Sequence, residues 1–171
     1  MDITIEYVLT GTGWSACTLD VYGQQCQVTA SYLSDALLEL ISGVSHVLGK
    51  GTEARFSFDE EPGEYRWILK RLENDGLSLR ILAFDELWGH QPDEEGEQIF
   101  DVTCPVRELS LALLNALNQI LDEYGVEGYN DKWHQSEFPY DQYSALCELL
   151  GEPVSPKFKI DKRVKRPRHR S

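Results

Sequence analysis

The chain has 171 residues, 42% of them hydrophobic and 11% aromatic, which is the composition of a folded globular protein. Its net charge of −13 is unevenly divided: residues 157–171 hold eight basic side chains against Asp161, leaving residues 1–156 with eight basic and 28 acidic side chains, a net of −20. A body of that sign repels nucleic acid and anionic membranes and attracts basic partners. No apolar run approaches the roughly 20 residues that cross a bilayer. The opening MDITIEYVLT alternates and carries acids, unlike a signal peptide. A cytoplasmic location is the expectation.

Asp2 to Thr10 alternates, with Ile3, Ile5, Tyr7 and Leu9 on one face of a half-buried strand. After the turn Gly11-Thr12-Gly13, Trp14 to Val21 is a second strand. A two-residue turn at Gly23-Gln24 sets Val21 opposite Cys26, Leu19 opposite Val28 and Cys17 opposite Ala30, so the apolar faces match. Gln25 to Ser31 is then the third strand. The four cysteines form no CxxC pair and read as reduced, mostly buried thiols; a Cys17–Cys26 disulfide is conceivable on these facing strands.

SDALLELISGVSHVL, residues 34–48, is the clearest helical signal. Ala36, Leu37, Leu40, Ile41, Val44, Val47 and Leu48 recur at three- and four-residue steps. Ser34 is the expected N-cap and Gly49 the stop. Glu53 to Asp59 follows as a strand with Ala54, Phe56 and Phe58 inward. Glu61-Pro62-Gly63 turns the chain into a fifth strand, Glu64 to Glu73, with Tyr65, Trp67 and Leu69 on one face. A three-residue loop at Asn74-Asp75-Gly76 sets Leu69 against Ile81 and Trp67 against Ala83, keeping one apolar face through the sixth strand, Leu77 to Glu86. Ile68, Leu72, Leu82 and Phe84 make the other face partly apolar, which predicts a cover over it or a central position.

Trp88 to Glu97, WGHQPDEEGE, reads as an acidic loop before a seventh strand, Gln98 to Cys104. Pro105 suits the first turn of a helix that runs to about Tyr124. Residues 126–138 read as an aromatic-rich loop, and Pro139 opens a last helix ended by Gly151. The order is βββ-α-ββββ-α-α. It predicts an α+β domain over residues 1–151, with an antiparallel sheet of about seven strands and helices packed on one face. Residues 152–171 form a basic tail with little to bury, expected to be disordered.

No motif carries chemistry. His90 lies in a loop with Asp93, Glu94 and Glu95, and His134 lies three before Glu137, but neither is a zinc pattern. The doublets Glu60-Glu61 and Asp85-Glu86 sit at strand ends, where neighbours point to opposite faces and do not make an acid–base pair. GTG at 11–13 precedes a strand and is a turn, not a phosphate loop. There is no GxSxG. No cofactor is expected. Of the aromatics at 129–143, Trp133 and Phe138 are expected to be core plugs, while Tyr129 and Tyr140 stay open as partner contacts. The basic tail could reach nucleic acid or an acidic surface.

GTGW at 11–14, SYLSDAL at 31–37, Phe56-Ser57-Phe58 and KW…FP at 132–139 resemble a pattern in small bacterial cytoplasmic proteins. In size, acidity and α+β build the chain also resembles the immunity proteins that accompany bacterial toxins. That likeness implies a non-enzymatic protein whose acidic surface blocks a basic toxin, and it assigns no residue. The acids at the ends and loops of the sheet, Asp93, Glu94, Glu95 and Glu97, then Glu60 and Glu61, are the first candidates to meet a basic partner. The alternatives are a small hydrolase or metal-dependent enzyme using His90 or His134, and a structural or oligomeric protein.

Overall fold

The computed structural model describes residues 2–156. The stretch 157–171, on which most of the expected disordered tail falls, lies outside the described residues. Among the described residues the elements run β1 (Ile3–Gly11), β2 (Trp14–Val21), β3 (Gln24–Ser31), α1 (Ala36–Leu48), β4 (Glu53–Asp59), β5 (Glu64–Arg71), β6 (Gly76–Phe84), β7 (Glu97–Pro105), α2 (Val106–Glu123), α3 (Gly125–Trp133) and α4 (Tyr140–Leu150). The class is α+β and every strand pair is antiparallel.

The strands form two sheets, β1-β2-β3 and β4-β5-β6-β7, where the sequence predicted one. Side chains rather than a ladder join the β3 and β4 ends: Ser31 Oγ donates to the Asp59 carbonyl (3.1 Å) and Thr29 Oγ1 to the Glu60 carboxylate (2.6 Å). Alternation dictates which face of a strand is buried and leaves open which edges pair.

Two hairpin registers differ from expectation by the same amount and for the same reason. Val21 pairs with Gln24, Leu19 with Cys26 and Cys17 with Val28, around a turn at Tyr22-Gly23. Both turn residues have positive φ (54° and 86°), the conformation that matches the twist of the flanking strands. Leu69 pairs with Leu79 and Trp67 with Ile81, across a longer loop holding a short 3-10 turn, Glu73–Asp75. Each register is two residues from the predicted one. A two-residue slip returns every side chain to its own face, so the apolar pattern cannot distinguish the alternatives. The slip sets Cys17 opposite Val28, and all four cysteines are free thiols.

Helix α1 begins one residue later than expected. Asp35 is its N-cap, accepting from the Leu38 amide (3.4 Å), and Ser34 Oγ instead accepts from the Asp59 amide (3.0 Å), tying the helix entry to β4. The aromatic segment after α2 is helical rather than a loop. Gly125 (φ 65°) redirects the chain into α3, which buries Tyr129 and Trp133 one turn apart on its inner side. Two arginines cap helix ends. Arg71 donates to the carbonyls of Val47 and Leu48, and Arg107 to that of Leu150 (2.9 Å), where cations favour the helix dipole.

One continuous core takes residues from both sheets and all four helices, with α2 along β1, α1 along β4 and α4 against both helices. Phe56, Phe58 and Trp67 stack within it, and Tyr129, Trp133, Phe138 and Tyr143 form a second aromatic group. Residues 152–156, placed in the tail by the sequence, lie back on α4. The Glu152 amide donates to the Cys147 carbonyl (2.9 Å), the Ser155 amide to Tyr143 Oη (2.9 Å), and Val154 packs on the core.

Candidate functional site

The outer face of the four-stranded sheet, turned away from the helices, carries the arrangement of most interest. Its side chains follow from the pairing. Arg55, Ser57 and Asp59 on β4 stand against Ile68, Arg66 and Glu64 on β5, and these against Arg80, Leu82 and Phe84 on β6. Ile68, Leu82 and Phe84 form a small buried cluster of their own. The cover predicted for this second apolar face is the connection between β6 and β7, residues 85–96. Gly96 lies so close that a Cβ there would sit 2.6 Å from the Phe84 ring and 3.0 Å from Leu82 Cβ.

Two ties hold this connection. Toward its end, Asp93 takes both of its carboxylate oxygens to Arg55 (2.6 Å each) and one to Arg66 (2.9 Å). Arg66 is 14% exposed; it also donates to the Gln91 carbonyl (2.7 Å) and Glu64 (3.0 Å) and stacks 4.1 Å above the Phe84 ring. These guanidinium bonds hold the Asp93 carboxyl below the usual carboxylate range. At the start of the connection, Trp88 adopts a left-handed backbone (φ 57°), next to Leu87, whose amide is bonded to the β4–β5 turn. Asp59 lies directly opposite Glu64. Burial first, and the Glu64 charge second, push the Asp59 carboxyl up.

Trp88 is 64% exposed, the most exposed large hydrophobic side chain among the described residues. Acids surround it. The Leu87 amide donates to the Pro62 carbonyl (2.7 Å), which stitches the β4–β5 turn to the connection and brings Glu61 beside Asp85 and Glu86. Gly63 allows this close approach: a Cβ would lie 2.2 Å from the Phe84 carbonyl oxygen. Glu61, Asp85 and Glu86 are exposed. Glu60 is half-buried and accepts from the Thr29 hydroxyl.

The predicted contacts are therefore sorted by the fold. Glu94, Glu95 and Glu97 are exposed on the same connection. Asp93 is internal to it, a clasp rather than a free acid. Tyr129 is fully buried and presents no surface, and Tyr140 is half-buried against the core. His90 and His134 are exposed on different parts of the chain, one in the connection and the other ending α3. Among the described residues no three His, Cys, Asp or Glu side chains are arranged to hold a metal ion. A depression of about 330 Å³ beside His90 is lined by Arg55, Ser57, Arg66 and Gln91, but both arginines are already bonded to Asp93. An open depression of about 490 Å³ on the three-stranded sheet, lined by Asp2, Asp20 and Tyr22, adds to the acidic surface.

Sequence reasoning placed acids here and passed over Trp88 and Asp59. A tryptophan heading a run of polar and acidic residues was the available signal, since nothing in the local pattern offers it a core position. No helix among the described residues is long and apolar enough to cross a membrane. Comparison with family models, with curated proteins and with solved structures yields no match.

Proposed function

We propose that the protein is a non-enzymatic binding protein of immunity type, acting in the cytosol, whose acidic surface engages and blocks a basic protein. The observation that carries this reading is the exposed Trp88 on a connection bonded to the β4–β5 turn, with the exposed acids Glu61, Asp85 and Glu86 on these two segments. Interfaces concentrate their binding energy in a few aromatic anchors with a polar rim, and tryptophan is prominent among them. The net of −20 on residues 1–156 favours the encounter with a basic partner. Glu94, Glu95 and Glu97 extend the acidic rim along the same connection.

The test is affinity capture by the full chain from cells of its own source, with the bound protein identified, purified and titrated back. A basic partner should be retained at low salt and released at about 0.5 M salt, where charges are screened beyond about 4 Å. Trp88→Ala should weaken it by tenfold or more, roughly the loss expected at a binding hot spot. Recovery of acidic proteins only, or a partner indifferent to both salt and Trp88→Ala, would sink the reading.

A further inference from the structure

We infer that the basic segment 157–171 docks on the helical side of its own chain, across the acidic end where α2 finishes and α4 begins. The path of the chain up to Pro156 points there. Helices α2 and α4 run in opposite directions. Arg107, in the first turn of α2, donates to the Leu150 carbonyl at the end of α4 (2.9 Å), and Asn118, three turns later, accepts from Tyr143 near the start of α4 (2.7 Å). Gly151 (φ 70°) reverses the chain at the end of α4. The Glu152 amide then bonds back to the Cys147 carbonyl (2.9 Å), Val154 packs on the core, and the Ser155 amide reaches Tyr143 Oη (2.9 Å). From residue 150 to residue 155 the chain therefore travels from the start of α2 to the level of Asn118. Continued in that direction it meets Asp122, one turn beyond Asn118 on the same side of α2.

The surface ahead favours cations. Asp122 and Glu123 are exposed in the last turn of α2, which contains no basic residue, and acids at that end of a helix oppose its dipole. Glu127 in the first turn of α3 and Asp141 in the first turn of α4 are exposed as well. Lys132, on α3, lies over the Tyr124 ring (5.2 Å). Residues 157–171 supply eight basic side chains against Asp161. Lys159 stands three residues past Pro156, a reach of about 10 Å, while Asp122 is about 5 Å beyond Asn118 along the helix. So short a link raises the effective concentration of the segment far above that of a second copy. The outer face of the four-stranded sheet is turned away from these helices, so the docked segment leaves Trp88, Glu94 and Glu95 open to a partner.

The experiment couples amines to carboxylates in the full chain with a zero-length carbodiimide, at low salt and low protein concentration, and maps the links in the monomer band by peptide mass spectrometry. Lys157, Lys159 or Lys162 should couple to Asp122, Glu123 or Glu127, and the yield should fall at least about threefold at 0.5 M salt. Trypsin gives a second readout. Combining Asp122→Asn, Glu123→Gln and Glu127→Gln should speed cleavage after Lys159 and Lys162 by about three- to tenfold. Combining Glu94→Gln, Glu95→Gln and Glu97→Gln, an equal change in net charge on the sheet side, should leave that rate as it was. No links at low salt, links found only in a dimer band, links spread equally over Glu94, Glu95 and Glu97, or equal cleavage rates in the two variants would each overturn the docking. None of these results bears on capture of a basic partner through Trp88, which stands or falls by its own test.

Discussion

Three tyrosines show how little residue type says about role until burial and partners are known. Tyr129 and Tyr143 are both fully buried in the aromatic group under α3 and α4. The Tyr143 hydroxyl donates to Asn118 Oδ1 (2.7 Å) and accepts from the Ser155 amide (2.9 Å), so it ties α4 to α2 and fixes residues 152–156. The Tyr129 hydroxyl has no hydrogen-bond partner among the described residues, and burial pushes its pKa far up. A buried polar group without a partner costs about 1–3 kcal/mol, while a satisfied hydrogen bond contributes about 1 kcal/mol. Tyr143→Phe should therefore lower stability by about 1 kcal/mol or more, whereas Tyr129→Phe should leave it unchanged or raise it. Urea unfolding of the two variants decides the matter; a clear loss for Tyr129→Phe would mean that its hydroxyl is satisfied in solution. Tyr7 presents a third case, buried but paired with Ser15 (3.0 Å).

At the scale of elements, the β6–β7 connection behaves as a strap laid over the outer face of its sheet. An acid toward one end meets two arginines, and the Leu87 amide toward the other is bonded to the β4–β5 turn. Its closest approach depends on Gly96, whose backbone (φ −80°, ψ 146°) any residue can adopt, so the requirement is space and not conformation. Gly96→Ala should cost about 1–3 kcal/mol, as overpacking does, and should raise hydrogen exchange across residues 85–97 before the rest of the molecule. Unchanged exchange there would show that the strap is not seated on Phe84. Much of this architecture was legible in the sequence. The strands were visible from alternation, the inward faces from Phe56, Trp67 and Leu69, and the need for a cover from Ile68, Leu82 and Phe84. Registers were not legible, because a slip of two residues costs the apolar pattern nothing. Helix α3 was hidden by Gly125 and Gly128, weak helix formers whose place is decided by the burial of Tyr129 and Trp133. Asp93 looked like a free acid because its partners, Arg55 and Arg66, are 38 and 27 residues away in the chain.

At the scale of the whole molecule, the few cations of residues 1–156 are largely occupied inside the fold. Arg55 and Arg66 hold the strap, Arg71 and Arg107 cap helices, Arg80 bonds Gln98, and Lys132 lies 5.2 Å from the Tyr124 ring. The acidic surface is thus left with little compensation, and stability must depend on pH. Burial raises the carboxyls of Asp35, Glu39 and Asp59, and neighbouring acids raise Glu39 and Asp59 further. A carboxyl with a raised folded pKa holds its proton more tightly when folded than when unfolded. Its charging therefore removes stability as pH rises from the ordinary carboxylate range through the folded value, and that stability returns as pH falls. Asp93 acts in the opposite sense. Its contribution is complete above the ordinary aspartate value of about 3.9 and is lost as pH falls through its lower folded value. Stability measured by urea unfolding should accordingly increase as pH falls from 7 toward the ordinary carboxylate values of about 4, as the raised carboxyls take up protons, and the Asp93 contribution should be lost below about pH 3.9. Asp59→Asn should reduce the rise, and Asp93→Asn should soften the acid fall at the cost of lower stability at neutral pH. Added salt at pH 7 should also stabilise the chain by screening its self-repulsion. A stability that only decreases as pH falls from 7 to about 4 would contradict this account, because it would place the buried carboxyls in environments that welcome their charge.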